Sequence, residues 1–191
     1  MSDFTTYLNG RWIPTDEVTI SPLDRGFLAG DVVFEVERTF NGKSFRLKQH
    51  IDRLYRSLKY TRIDPKLSPD GLMSITEEAI QRHEHLRPFW GDFKTSQFIT
   101  RGEGPRAWAA GPPTVCVGIG PIEYSHHAPA FTTGKSAIIT RIRSHSPKAL
   151  DPKVKHYNRM NFNLAELEAN DIETGAWPIL RDSDGNLTES S

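Results

Sequence analysis

Alternation with a period of two marks the first forty residues. Thr6-Tyr-Leu-Asn-Gly-Arg-Trp-Ile13 carries two short alternating runs around Asn9-Gly10, and this pairing predicts a hairpin with a two-residue turn. Beyond the loop Ser21-Pro-Leu-Asp-Arg-Gly26, the run from Asp31 to Phe40 puts Val32, Phe34, Val36, Arg38 and Phe40 on one face. Val33, Glu35, Glu37 and Thr39 fall on the other. Asn41-Gly42 then turns the chain into Ser44-Phe-Arg-Leu47, a second hairpin, so the sheet is predicted to be antiparallel. The period changes to 3.6 from about Lys48 to Tyr60, where Ile51, Leu54, Tyr55 and Leu58 form the apolar stripe and His50 and Arg53 lie on an adjacent face. Ser68-Pro69 caps and opens a second helix reaching about His83.

Phe93 to Thr100 and Pro113 to Ile119 read as further strands, separated by the loop Arg101-Gly-Glu-Gly-Pro-Arg106. Gly120-Pro121 closes that segment, which sets a first α+β domain at 1–121 and a linker at 122–130. A second domain, 131–191, is predicted to hold a strand from Ser136 to Arg143, a helix from Asn158 to Asn170 and a strand from Ala176 to Arg181. Asp184-Gly185 turns that last strand into Asn186-Leu-Thr188. Only these few elements are laid down before the sequence stops, and so small a domain would bury too little surface to be stable alone.

Composition narrows the classes. Lys plus Arg and Asp plus Glu each total 24, a balance that gives no reason to expect nucleic acid or an anionic membrane as partner. The hydrophobic share of 37% suits a globular chain rather than a disordered one. No apolar run approaches a membrane span and the N-terminus lacks a signal-peptide pattern, so a soluble, cytoplasmic protein is expected. The single cysteine, Cys116, lies in the apolar run Thr114–Ile119 and is expected in the core.

The candidate chemistry centres on Asp151-Pro-Lys-Val-Lys-His-Tyr-Asn-Arg159, which places lysines at 153 and 155 just ahead of the helical pattern. On composition alone the two lysines are rivals. Their surroundings, together with Asp24-Arg-Gly-Phe27, Gly30-Asp31, Phe34-Glu35, His50-Ile-Asp-Arg-Leu54, Lys155 with Asn158, Glu168-Ala169, and Asp184-Gly185 to Thr188-Glu189, resemble the class IV aminotransferases. That family includes branched-chain and D-amino-acid aminotransferases and aminodeoxychorismate lyase. The resemblance runs over nearly the whole chain, in order and spacing. It implies a two-domain, fold-type-IV α+β enzyme that binds pyridoxal 5'-phosphate and works as a homodimer. It also implies roughly a hundred further residues, so that the second domain is incomplete here.

The residue roles follow from the same resemblance. Lys155 would carry the cofactor as a Schiff base and shuttle the Cα proton, as only an amine can. Glu189, 34 residues on, would keep the pyridine nitrogen protonated. Arg53 of the His-x-x-Arg element would grip the phosphate through its fork, braced by His50. Arg159 is a further candidate cofactor contact, standing where branched-chain enzymes carry a tyrosine. Phe34, Val36 and Arg38 would line the substrate pocket. Valine at 36 matches the D-amino-acid branch, where branched-chain enzymes usually have glycine. Arg106 matches a loop arginine that binds the substrate carboxylate, whereas Trp108 replaces the histidine expected two residues later. The implied reaction is transamination between an amino acid or primary amine and a 2-oxo acid, with a D-amino acid or (R)-amine favoured. The alternatives are an aminodeoxychorismate lyase-like reaction releasing pyruvate, and a non-catalytic binding protein of the same fold. No metal is expected.

Overall fold

The computed structural model describes residues 3–126 and 128–190; residues 1, 2 and 191, at the ends of the expected domains, and 127, within the expected linker, lie outside the described residues. The chain divides into two compact units, Met1–Ile122 with Val154–Tyr157, and Glu123–Lys153 with Asn158–Ser191. Residues 154–157 thus group with the first unit although they fall within the range 131–191.

In the first unit the early hairpin forms as β1 (Thr5–Leu8) and β2 (Arg11–Pro14). Its turn residues Asn9 and Gly10 both take positive φ, 48° and 88°, as this kind of turn requires. A short helix, α1 (Arg25–Ala29), precedes the long strand β3 (Val32–Phe40). The strand expected at Ser44–Leu47 is shorter than the sequence suggests. β4 covers only Lys43–Ser44, because Arg46 turns left-handed at φ 55° and delivers Leu47 into the core as the first residue of α2 (Leu47–Thr61). α3 (Pro69–His83) begins at Ser68, whose side chain accepts from the Gly71 amide, and α4 (Arg87–Trp90) follows. β5 (Phe93–Thr100) and β6 (Val115–Pro121) complete one sheet in the order β2-β1-β6-β5-β3-β4, antiparallel throughout.

Ile51, Leu54 and Leu58 of α2 and Leu72, Ala79 and Ile80 of α3 pack with Val33, Phe93, Ile99 and Val117 of the sheet into the main core. Burying aliphatic side chains of this size stabilises by about 1.5–3 kcal/mol each. Cys116 is buried, as expected, and burial pushes its thiol pKa up to about 12.

The helix-facing side of β3 is not purely apolar. Val33, Glu35, Glu37 and Thr39 are all buried there. Glu37 accepts from the Thr95 hydroxyl and, at 2.7 Å, from Gln97 Nε2, while its Oε2 and the Gln97 Oε1 accept no hydrogen bond from the described residues. Burial raises the Glu37 pKa more than the Thr95 and Gln97 hydrogen bonds lower it.

The second unit has a short helix, α5 (Ala130–Thr133), that starts within the expected linker. Its sheet orders β7 (Ala137–Arg143), β8 (Trp177–Arg181) and β9 (Leu187–Ser190), parallel between β7 and β8 and antiparallel between β8 and β9. α6 (Met160–Ile172) is the crossover between the parallel strands and packs Phe162 and Ala165 against Leu180. Among the described residues no helix is long and apolar enough to cross a membrane.

Candidate active site

The strap Val154–Tyr157 gives Lys155 surroundings that Lys153, two residues earlier, does not share. Residues alternate in it as in a strand: Val154 is buried in the core of the first unit, while Lys155 and Tyr157 fall on the opposite side. His156 makes an antiparallel bridge with Val33, and the Lys155 carbonyl accepts from the Phe34 amide at 3.1 Å. On the other side of the strap, the Lys155 amide donates to Ser57 Oγ of α2 at 3.3 Å. Lys155 is half-buried, with Nζ 4.4 Å from the centroid of the Phe34 ring, a cation–π distance. The Phe34 ring in turn stacks on Tyr157 at 3.9 Å and 13°. By contrast, Lys153 is exposed and its amide is capped locally by Asp151.

Arg53 is held from below. Its Nε and Nη2 form a fork on the Glu35 carboxylate, the Nη2 arm at 2.6 Å, and His50 Nδ1 lies 2.9 Å from Glu35 Oε2. The expectation that His50 braces Arg53 is therefore modified: both are fastened to Glu35, which lies between them. Burial raises the Glu35 pKa, but the hydrogen bonds from Arg53 and His50 outweigh it and hold the carboxyl below its ordinary 4.5. Glu35 is 0% exposed, whereas the Arg53 side chain is 44% exposed, so the guanidinium is anchored at one edge and open at the other. That is an arrangement suited to gripping an anion such as phosphate.

The other candidates are more scattered. Arg38 sits at the far end of β3, four residues and about 13 Å of strand from Phe34. Its Nε donates to the Thr39 carbonyl and its guanidinium lies 4.0 Å from the Phe40 ring. Val36, between them, is half-buried. Arg106 and Trp108 are both exposed, Trp108 at 87%, and lie on the loop that leaves β5 at the sheet end where β3 begins. Trp108 walls a cleft of about 350 Å³ with Ile63, Arg101 and Pro112. The root of this loop is fixed, because Arg101 pairs with Asp31 at 2.7 Å and donates to the Thr61 and Arg62 carbonyls that end α2.

In the second unit, Arg159 is the residue before α6 and lies 3.5 Å from the Phe162 ring centroid, while Glu189 is exposed on β9. The first unit thus brings together Lys155, Phe34 and Tyr157, and fastens Arg53 to Glu35. Sequence pattern alone does not single out Tyr157 and Ser57, which contact Phe34 and the Lys155 amide. Tyr157 could have been found as the same-face neighbour of Lys155 in an extended segment. Ser57 could have been found from its spacing with His50 and Arg53 on one side of α2.

The family model for class IV amino-transferases matches residues 32–191, beginning at the first residue of β3, and the chain belongs to that family. Over 172 residues it is 36% identical to a putative branched-chain-amino-acid aminotransferase of Methanocaldococcus jannaschii, a match covering 86% of this chain and 55% of that one. A shorter match, 36% identical over 98 residues, joins it to the D-alanine aminotransferase of Bacillus licheniformis, covering 51% of this chain and 33% of the relative. Its fold is similar to that of the Escherichia coli branched-chain amino acid aminotransferase, with a TM-score of 0.84 at 21% identity across 98% of this chain and 62% of that one. A branched-chain amino acid aminotransferase solved with pyridoxamine 5'-phosphate also gives a TM-score of 0.84, at 23% identity and over 98% and 62% of the two chains. The two-unit α+β architecture is accordingly that of fold-type-IV enzymes. The chain spans little more than half the length of its Methanocaldococcus relative.

Proposed function

We propose that this chain carries the lysine of a pyridoxal-5'-phosphate-dependent aminotransferase, acting between an amino acid or primary amine and a 2-oxo acid. The observation that carries this reading is Lys155: half-buried, held through both sides of its backbone, its amine against an aromatic face, while Lys153 two residues away is exposed. The residues present suit the cofactor, with an amine for its aldehyde, a flat aromatic pair beside that amine, and an anchored guanidinium for its phosphate. When bound, the group supplies an electron-withdrawing ring that acidifies the bond to be broken. The chain's own part is to hold that ring in register with Lys155, whose amine takes the Cα proton and returns it. On this reading Glu189 holds the pyridine nitrogen protonated and Arg159 is an additional cofactor contact.

For the substrate we favour D-amino acids or (R)-amines over branched-chain L-amino acids. Val36 in place of glycine and Arg106 on the β5–β6 loop support this, and so does the local match to a D-alanine aminotransferase. Arg38 and Trp108 would shape the remaining pocket. The enzyme is taken to act as a homodimer in the cytoplasm. The test is to reconstitute the chain with pyridoxal phosphate, reduce with borohydride and map the modified lysine, then assay a panel of D- and L-amino acids and (R)-amines. Label on Lys155, lost in Lys155→Ala and kept in Lys153→Ala, is the expected result; label on Lys153 overturns the assignment. Turnover confined to branched-chain L-amino acids overturns the substrate preference, and pyruvate release without an added 2-oxo acid would favour the lyase reaction.

A further inference from the structure

We propose that Ser57 is a positioning residue for Lys155, so that helix α2 sets the lysine and the phosphate-gripping arginine in one register; this rests on the function proposed above. Ser57 lies one helical turn beyond Arg53 and is 2% exposed. Serine is a poorer helix former than alanine, and a buried hydroxyl must be hydrogen-bonded to be tolerated. Here its oxygen accepts from the Lys155 amide at 3.3 Å. The carbonyl of the same lysine is held from the opposite side by Phe34 at 3.1 Å, and Val154 next to it is buried in the core.

The strap residue therefore has both main-chain polar groups engaged, one on a helix and one on a strand. Rotation about its backbone is thereby suppressed. The geometry gives this weight. The lysine amine stands at the end of a lever of roughly 6 Å, so a backbone swing of about 10° displaces it by about 1 Å. A displacement of that size is enough to lower the rate of a reaction between fixed partners by as much as about a hundredfold. His50, Arg53 and Ser57 follow one another along the same helix. His50 and Arg53 fasten to Glu35 of β3, and Ser57 fastens to the strap that β3 also binds. One helix thus spaces the Arg53 anchor from the backbone anchor of Lys155 by about 6 Å along its axis, four residues at about 1.5 Å each.

The test uses the full chain with and without pyridoxal phosphate. Amide hydrogen exchange of the cofactor-free protein should show Lys155 protected in the wild type. In Ser57→Ala that protection should fall about tenfold, the equivalent of one net hydrogen bond, with exchange across α3 and β5 unchanged. The same variant should form the borohydride-trapped lysine adduct about three- to tenfold more slowly. Ser57→Thr, which restores a hydroxyl, should recover part of both. If the alanine variant does not fold, Ser57→Cys takes its place, since it fills the same volume with a weaker acceptor, and the same two losses are expected. An unprotected Lys155 amide in the wild type overturns the proposal, as does a Ser57 variant that matches the wild type in both readouts. If the wild type forms no adduct at all, the function proposed above fails, whereas the exchange result at Lys155 still decides whether Ser57 holds the strap.

Discussion

Glu35→Gln tests the foundation of the anion grip proposed for Arg53. The substitution keeps the size and removes the charge of a fully buried side chain that receives both arms of the Arg53 fork and lies 2.9 Å from His50 Nδ1. An amide offers one acceptor oxygen where the carboxylate offers two, so at least one arm of the fork would meet an N–H group. Breaking a buried ion pair outright costs about 3–5 kcal/mol. Because 44% of the Arg53 side chain is exposed, the released guanidinium keeps much of its hydration, and the expected loss is smaller, about 2–3 kcal/mol. For a chain of this length, each kcal/mol moves the melting temperature by about 2–4 °C, so the variant should melt roughly 5–10 °C lower. Loosening of Arg53 should also weaken pyridoxal phosphate binding about tenfold, read by absorbance titration. The pH dependence has a definite sign. The folded pKa of Glu35 lies below its ordinary 4.5, so the advantage of the wild type is fully present above that value. It should be lost as pH falls through the lowered folded value. A Glu35→Gln protein that melts within about 1 °C of the wild type and binds the cofactor equally well would refute the assignment of Glu35 as anchor.

Three further outcomes are expected. Glu37→Gln should be stabilising at pH 8 by about 1 kcal/mol, since its amide can donate to the unpaired Gln97 Oε1. With its pKa raised by burial, wild-type Glu37 loses stability as pH climbs through the raised value. The gain in urea denaturation should therefore shrink toward pH 4.5, and a pH-independent difference would count against a raised Glu37 pKa. Gly102→Ala should destabilise by about 2–3 kcal/mol and loosen the Arg106 loop, because Gly102 has φ 83° and an added Cβ would meet the Pro112 backbone; unchanged thermal unfolding would contradict this. Cys116, buried and with its thiol pushed up to about 12, should react with Ellman's reagent only on unfolding, so rapid labelling of the native protein would be inconsistent with its placement.

The elements were legible wherever one period dominated. Phe93–Thr100 and the Ser68-capped helix ending at His83 coincide with the structure because alternation and capping agree there. The Ser44–Leu47 strand is shorter than its pattern because its end depends on a left-handed Arg46, a backbone state that no hydrophobic pattern reports. At the site, the resemblance points to Lys155, but local pattern does not separate it from Lys153. The separation comes from long-range partners, Ser57 in α2 and Phe34 in β3, which only folding brings near. The alternation also puts Glu35 and Glu37 on one face with Val33 without revealing that this is the face the helices cover. Their tolerance depends on Arg53, His50, Thr95 and Gln97, which come from α2 and β5.

Because residues 154–157 belong with a body otherwise finished by residue 122, the polypeptide is threaded rather than strung like beads. Anyone grafting residues 1–122 onto a relative's remainder would be transplanting a socket without its plug. The donor's residues corresponding to Val154 and Lys155 would have to fit a foreign Phe34 and Ser57. Shuffling of units among members of this family should therefore succeed only where that four-residue segment travels with the unit it docks into.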